Sequence, residues 1–593
     1  MTFRHFLVAT TGALVVATLA TLVGGVGLAD VPFYTRGEPR EAVVVQEMAR
    51  GGGYILPLRN GDDVPAKPPV FHWLGFAASR ALGRVDHVTT RLPSVVLGVL
   101  TVLAVYLTGA CVGRIRSGWL AAIALLFAFE WLRAMRTARV DMTLAFFITT
   151  ALLLFLWIHH RGASALRLTG LWLCLALATL AKGPIGFVLP ALIIVVYALV
   201  LPIEGAGRGI ARRIETVRDV VGSLEPVRGL ALVLLLSGGW FLAAWAIHGR
   251  EFIVEHVLKE NVLRVFDADR LASGHRHGPG YLLGQLALGT LPFALLAPAV
   301  AWWLWLERPL DPTRRFLVVW VVTVVALFAL PQSKRGVYLL PAYPAAALLL
   351  GLTMGPGPVQ PGPRQLARAG LVVLTWTGGL LGLVAIVTAL GLPFDALLAS
   401  VLRPRDLAGV AAVRAALVAQ RGITLGAGLV VIAAGVWVVR EARDAHWLRA
   451  SIPLVAALLA LLGGVVAPAE RAIAEQRSLV RFAAEIRARL ADSPVQFGAS
   501  TFDWGLVFQL DRHVPRFKGP LSEAPSPLLV RRADLGASAG EVRILLASDD
   551  GPDAMLLVEA LSTPVRPDAS AAGAGSPAAA EAAPVDPEPQ GTR

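Results

Sequence analysis

The 593-residue chain is short of charge and nearly free of cysteine: Asp, Glu, Lys and Arg make up 16% of it, and Cys111 and Cys174 are its two cysteines. Soluble domains carry about 25% charged residues, so a soluble globular protein is excluded. Both cysteines lie inside apolar runs. That excludes a disulfide framework, a CxxC metal site and a cysteine nucleophile, and leaves them as small core residues. P-loop and Rossmann phosphate motifs are missing as well, which argues against nucleotide chemistry. No internal repeat with interrupted helices in matching positions marks a transporter.

What remains is apolar. Hydrophobic residues make up 56% of the chain, and its net charge is +13. In a soluble chain that charge would suggest nucleic acid. Here the basic residues are almost all arginine, spread through short loops between apolar runs, so membrane orientation and lipid phosphates account for them and no nucleic-acid partner is expected.

Runs of about 17–25 apolar residues predict about thirteen transmembrane helices. They lie near 6–28, 88–112, 118–132, 141–158, 168–181, 184–202, 229–247, 280–306, 316–331, 336–354, 369–392, 422–439 and 451–468. The first follows Arg4 like a signal peptide, but its length and the lack of a clear cleavage site predict a retained helix. Short basic loops carrying Arg114/Arg116, Arg161/Arg167, Arg308/Arg314/Arg315 and Arg440/Arg443/Arg449 fall on one side, as does the Arg-rich segment 203–228. By the positive-inside rule that side is the cytoplasm. The larger loops, 29–87 and 248–279 among them, then lie on the outer side.

Within loop 29–87, Pro39–Arg50 reads as an amphipathic helix with proline in its first turn. Asn60-Gly61 reads as a turn and Pro69–Leu82 as a second short helix. Beyond residue 468 the composition changes. RSLVRFAAEIRARLAD predicts an amphipathic helix, and PVQFGAS, GLVFQLD and EVRILLASD predict strands. The expected architecture is an α-helical polytopic membrane domain over 1–468, a small periplasmic α/β domain over 469–562, and a disordered Ala/Pro/Gly/Ser-rich tail over 563–593.

Four charged groups map to the outer side. Asp141 stands at the lip of an apolar run, after Arg133, Arg136 and Arg139. An acid beside hydrocarbon costs a few kcal/mol on insertion scales, so such residues usually face a cavity and mark a reaction centre. The arginines can hold it ionised and bind phosphate. The second group is Glu38, Arg40 and Glu41, which on its own reads as a charged helix start. The third is Lys67 in a stiff Lys-Pro-Pro turn, which on its own reads as a snorkelling lysine. The fourth, in 248–279, comprises Glu255, His256, Arg264 and His275. There His256 suits a proton shuttle, a phosphate ligand or a metal ligand. Lys182 and Lys334 are further cations at outer span ends.

The order of motifs resembles the polyprenyl-phosphate-sugar-dependent glycosyltransferases of the GT-C fold, close to the aminoarabinose transferase and protein mannosyltransferase group. The resemblance runs from about residue 30 to 355. GEPREAVVVQEMARGGGYILPLRNGDDVPAKPPVFHWL matches the first external loop, RVDMTLAFF the second acidic motif, and LAKGPIGFVLP the Lys-Gly motif. FIVEHVLKENVLRVF with HRHGPGYLL matches the second loop, and SKRGVYLLPAYPAAALLLG the Ser-Lys helix.

This resemblance implies that Asp141 matches a catalytic aspartate and Glu38 the second acid of the first-loop pair. It places Arg40, Lys67 and His256 near the lipid phosphate or acceptor. Two positions depart from the pattern. Gly37 stands where the first acid is usual. Ala66 stands where an acid serves a divalent metal in the aminoarabinose enzyme, so no cofactor is certain and a divalent metal stays open.

The expected activity is glycosyl transfer on the periplasmic face. The sugar comes from a polyprenyl phosphate and goes to lipid A or another envelope glycan or lipid. Glu38 and Asp141 are expected to be catalytic. Arg40, Lys67, Arg139, Lys182 and Lys334 are expected to hold the donor phosphate, with Glu255, His256, Arg264 and His275 toward the acceptor. A protein O-glycosyltransferase of the same fold and a lipid-linked-sugar transporter are the alternatives.

Overall fold

The computed structural model describes residues 3–35, 37–61, 63–65, 67–202, 210–254, 277–278, 280–331, 333–356, 360–392, 404–491, 493–536, 542–551 and 553–561. The chain divides into two compact units, Met1–Arg477 and Ser478–Arg593.

The first unit is helical. Among the described residues, ten helices are long and apolar enough to cross a membrane, or twelve if each of two bent pairs is one span. Of the thirteen apolar runs in the sequence, 184–202 forms only a 16-residue helix, Ile185–Val200. At about 1.5 Å per residue that is shorter than a hydrocarbon core of about 30 Å. The runs at 118–132 and 280–306 are the bent pairs: Ile115–Leu126 with Phe129–Met135 at 70°, and Tyr281–Gly289 with Phe293–Leu306 at 108°. The two bends meet, because the Phe129 amide donates to the Leu291 carbonyl at 3.0 Å. A break frees backbone groups that lipid cannot satisfy, and here each break supplies a partner for the other.

Nine helices carry the rest of the description: α1 (Phe3–Gly25), α2 (Gly37–Ala49), α3 (Val70–Leu82), α4 (His87–Val112), α5 (Ile115–Leu126), α6 (Phe129–Met135), α7 (Val140–Arg161), α8 (Ala165–Lys182) and α9 (Ile185–Val200). α5 is clamped between α4 and the helix Tyr343–Met354 by glycine. A side chain at Gly118 would run into the α4 backbone, and one at Gly351 into the α5 backbone. Small residues at such crossings let helix backbones approach where lipid gives no hydrophobic drive. α4 starts at a capping box, Asp86 accepting from the Thr89 amide at 2.9 Å.

Between α1 and α4 the chain forms α2 and α3, joined by the predicted turn. Arg59 and Asp63 pair through two backbone hydrogen bonds of 2.7 and 3.1 Å, and Asn60 and Gly61 both have positive φ. Asparagine and glycine tolerate that conformation best.

In the second unit a four-stranded sheet runs in the order β1-β2-β4-β3, from β1 (Gln496–Phe497), β2 (Leu528–Arg531), β3 (Val542–Ala547) and β4 (Met555–Ala560). β1 and β2 are parallel, whereas β4 is antiparallel to both β2 and β3. The amphipathic helix forms over Val480–Leu490. GLVFQLD was expected as a strand, but it lies in the helix Trp504–Leu510. Asp503 caps that helix on the Leu506 amide at 3.0 Å. Leu506, Val507 and Leu510 are buried at helical spacing, so cap and periodicity override the apolar run. The expected tail, 563–593, lies outside the described residues.

Candidate active site

Asp141 occupies the first turn of α7, immediately after Arg139, whose extended backbone starts the helix. It is 5% exposed. One carboxylate oxygen accepts from Lys182 Nζ, and the other lies 3.3 Å from Arg139 Nε. Lys182 is the last residue of α8, and Gly183 turns the chain after it at φ 82°. The Lys182 ammonium also stands 5.0 Å from the ring centre of Tyr338, in the turn Gly336–Ala342. Three elements thus converge on one acid and two cations.

α2 is latched to this centre. Glu38, 1% exposed, accepts from Arg91 of α4 at 2.7 and 3.1 Å, from the Ala138 amide at 3.0 Å and from Thr35 Oγ1 at 3.3 Å. Arg91 also donates to the Val31 carbonyl at 2.6 Å. A buried ion pair repays its desolvation only with such complete hydrogen bonding. Glu38, expected from the sequence to be catalytic, is bonded so that it holds the first loop against residue 138. A Cβ at Gly37 would stand 3.0 Å from the Arg139 guanidinium, so the absence of a side chain there leaves room for Arg139.

One turn further along α2, Glu41 is buried between Arg40 and His72. Its Oε1 accepts from Arg40 at 2.9 and 3.2 Å, and its Oε2 lies 2.9 Å from His72 Nε2. Burial alone would raise this carboxyl; Arg40, the His72 hydrogen bond and Arg59 outweigh it and hold Glu41 well below the usual carboxylate range. Its charge reaches Asp141, so the two acids share one electrostatic neighbourhood. Sequence reasoning missed this role of Glu41, together with His72 and Arg91. Arg91 was the readable signal, a charge inside the predicted span 88–112.

Of the predicted cations, Arg139 and Lys182 meet Asp141, and Arg40 meets Glu41. Arg133 pairs with Glu130, and Arg136 with Glu470 at 2.8 Å and the Val26 carbonyl at 3.0 Å, so neither forms an ion pair with Asp141. Lys67 is partly exposed in the turn before α3. Lys334 is 4% exposed and donates to the Pro331 carbonyl at 2.7 Å, two residues before the turn that carries Tyr338. Glu255, His256, Arg264 and His275 lie outside the described residues.

Among the described residues the donor set does not fit a divalent metal. Among the described residues no three His, Cys, Asp or Glu side chains converge. Glu41 and His72 are bonded to each other, and Asp141 is taken by two cations.

Comparisons with known proteins follow the same line. A family model described as dolichyl-phosphate-mannose-protein mannosyltransferase matches residues 63–252. The crystal structure of ArnT from Cupriavidus metallidurans in the apo state superposes with a TM-score of 0.73 at 18% identity, covering 93% of this chain and 98% of that one. The fold is that of the GT-C glycosyltransferases. The same ArnT bound to undecaprenyl phosphate gives a TM-score of 0.68 at 19% identity, covering 92% and 97%. An uncharacterized Aquifex aeolicus protein is 28% identical over 51% of this chain. An undecaprenyl phosphate-α-4-amino-4-deoxy-L-arabinose arabinosyl transferase of Pseudomonas paraeruginosa is 29% identical over 53% of it, and that of Aeromonas hydrophila 24% over 61%. The matched stretch spans 54 to 63% of the length of these curated relatives. The chain is thus a multi-span membrane protein of GT-C architecture, similar to the aminoarabinose-transferase and protein-mannosyltransferase group.

Proposed function

We propose that this protein is a membrane glycosyltransferase that moves a sugar from a polyprenyl-phosphate donor to an acceptor at the outer, periplasmic face of a bacterial inner membrane. The observation that carries the proposal is the seat of Asp141. It is a buried carboxylate at the head of a membrane helix, held between Lys182 and Arg139.

The donor's sugar C1 is bonded to a phosphate oxygen. As that bond breaks, charge grows on the leaving lipid phosphate, and the groups placed to stabilise it are Lys182, Arg139 and Arg40. The acceptor oxygen attacks C1, and its proton passes to a carboxylate, Asp141 or its neighbour Glu41, and from there to solvent. The products are the glycosylated acceptor and free polyprenyl phosphate. A phosphate leaving group needs no protonation by a general acid, which fits a site richer in cations than in proton donors. In this reading Glu38 and Arg91 fix the loop that carries Arg40 and Glu41.

The names of the relatives suggest the first donor to try, undecaprenyl phosphate-α-4-amino-4-deoxy-L-arabinose, with a polyprenyl-phosphate mannose as the second. Lipid A, another envelope glycan or lipid, and a protein hydroxyl are the acceptors to offer. Purified protein is supplied with each radiolabelled donor and with envelope extract. Label appearing in an acceptor with wild type and disappearing with Asp141→Asn supports the proposal. Donor moved across vesicles without loss of its sugar would make the protein a transporter instead.

A further inference from the structure

A concave site lies at the far ends of the same helices. α7 runs 20 residues beyond Asp141, so its C-terminal end lies about 30 Å away at about 1.5 Å per residue. There the chain encloses a cavity of about 590 Å³ between the end of α4, the start of α5, the end of α7 and the start of the helix Pro312–Ala329. Arg114, Arg161 and Arg314 all line it.

These cations are not equivalent. Arg314 is bound to Asp311 at 2.6 Å and to the Leu352 carbonyl at 3.1 Å, and Asp311 is spent on it and on the Thr313 and Arg314 amides. Arg161 lies over the Trp157 ring at 5.2 Å, and among the described residues neither Arg161 nor Arg114 has an ion pair. His160 is held by Thr313 Oγ1 at 2.8 Å. Ser117, 1% exposed, lines the same cavity, and its hydroxyl has no hydrogen-bond partner among the described residues. Burying a hydroxyl without a partner is unfavourable, so it marks a place for an acceptor atom.

We infer that this cavity, at the opposite membrane face from Asp141, binds a phosphate-bearing anion through Arg114, Arg161 and the Ser117 hydroxyl. The positive-inside rule explains why these loops are basic. It does not require three of them to converge on one hollow, nor a buried hydroxyl in its wall. The start of an 18-residue helix adds a favourable partial charge. A phospholipid headgroup and a soluble phosphate present the same oxygens, and either source satisfies the site. The site is independent of the glycosyl-transfer reading, and its test needs no activity.

The chain carries its own reporter. Cys111 lines the cavity and is exposed, whereas Cys174 is buried. Maleimide labelling of the full-length protein therefore reads access to the hollow. In vesicles of phosphatidylglycerol, labelling of Cys111 is expected to be about tenfold slower than in neutral detergent, a factor in keeping with one or two charge-assisted hydrogen bonds. Millimolar inorganic phosphate in detergent gives the same protection if the ligand comes from solution. Arg114→Gln with Arg161→Gln abolishes protection, the double Lys variant keeps most of it, and Ser117→Ala weakens it without changing charge. Labelling of correctly folded wild type that is equally fast with every phosphate probe overturns the site. So does protection that survives the double Gln change.

Discussion

Arg91 of α4 grips Glu38 of α2 through both carboxylate oxygens, and the same carboxylate takes the backbone amide of Ala138. One buried pair therefore fixes the distance between the first outer loop and the residues that lead into Asp141. Removing one partner of a buried pair leaves a charge without compensation and costs about 3–5 kcal/mol. Arg91→Leu should lower the thermal midpoint in detergent by several degrees and bring a proportionate loss of transfer. A variant with unchanged stability but no transfer would show that Arg91 acts on substrate instead.

Asp141→Asn keeps the shape of the side chain and removes its charge. The protein should insert and purify normally, and transfer should fall by about 10²-fold or more, as for loss of a positioned acid–base or electrostatic group. Turnover near that of wild type excludes Asp141 from the chemistry.

Glu41 and Gly37 are one helical turn apart on α2, and position 37 faces Arg139. If Glu41 supplies the second acid, Glu41→Gln should reduce transfer by about 10²-fold. Adding Gly37→Asp to that variant places a carboxylate beside Arg139 and should recover about tenfold of the loss, within the range of one charge interaction. Failure of the double variant, with stability intact, would confine Glu41 to holding Arg40 and His72.

The Glu41 carboxyl is held below its unfolded value of 4.5 in the folded protein. A depressed carboxylate stabilises the fold fully above that unfolded value, and the contribution is lost as pH falls toward the folded one. The stability difference between wild type and Glu41→Gln should be flat from about pH 8 to about pH 5 and shrink in more acid solution. Thermal scans across that range give the check, and a difference that grows on acidification contradicts the ion-pair geometry.

Lys182→Met removes a cation and the partner of Asp141 together, whereas Lys182→Arg keeps the charge. The Met variant should raise the KM for the polyprenyl-phosphate donor by about tenfold or more and also lower kcat, while the Arg variant retains part of both. A change confined to acceptor kinetics would move Lys182 away from the phosphate.

Hydropathy was a good guide where helices are straight, because the bilayer demands about 20 apolar residues whatever the fold. It did not reveal the bend after Leu126, since nothing in LLFAFEWL differs from an unbroken span. In the second unit it took GLVFQLD for a strand, because a buried segment of that length reads alike in both periods. β2 and β4 went unread for want of alternation, as the burial of β4 is continuous over its first four residues, Met555 to Val558, with Ala554 buried before it.

In the site, Asp141 and Lys182 were legible because a charge at the end of an apolar run has few bland explanations. Glu38 and Glu41 were not separable. Both stand in the first turn or two of a helix, and only the fold decides which one Arg91 takes. His72 lies in the second short helix of the first loop and is fully buried against Glu41, which sequence position alone does not disclose.

The hydrogen bond from Phe129 to Leu291 joins two kinked segments far apart in order of synthesis. Until Leu291 leaves the ribosome, the earlier kink has an amide that neither lipid nor its own helix can quench. The early segment must therefore wait, straight or shielded, for the late one. Truncations that stop before residue 291 should be the versions of this protein that the quality-control proteases of the membrane remove first.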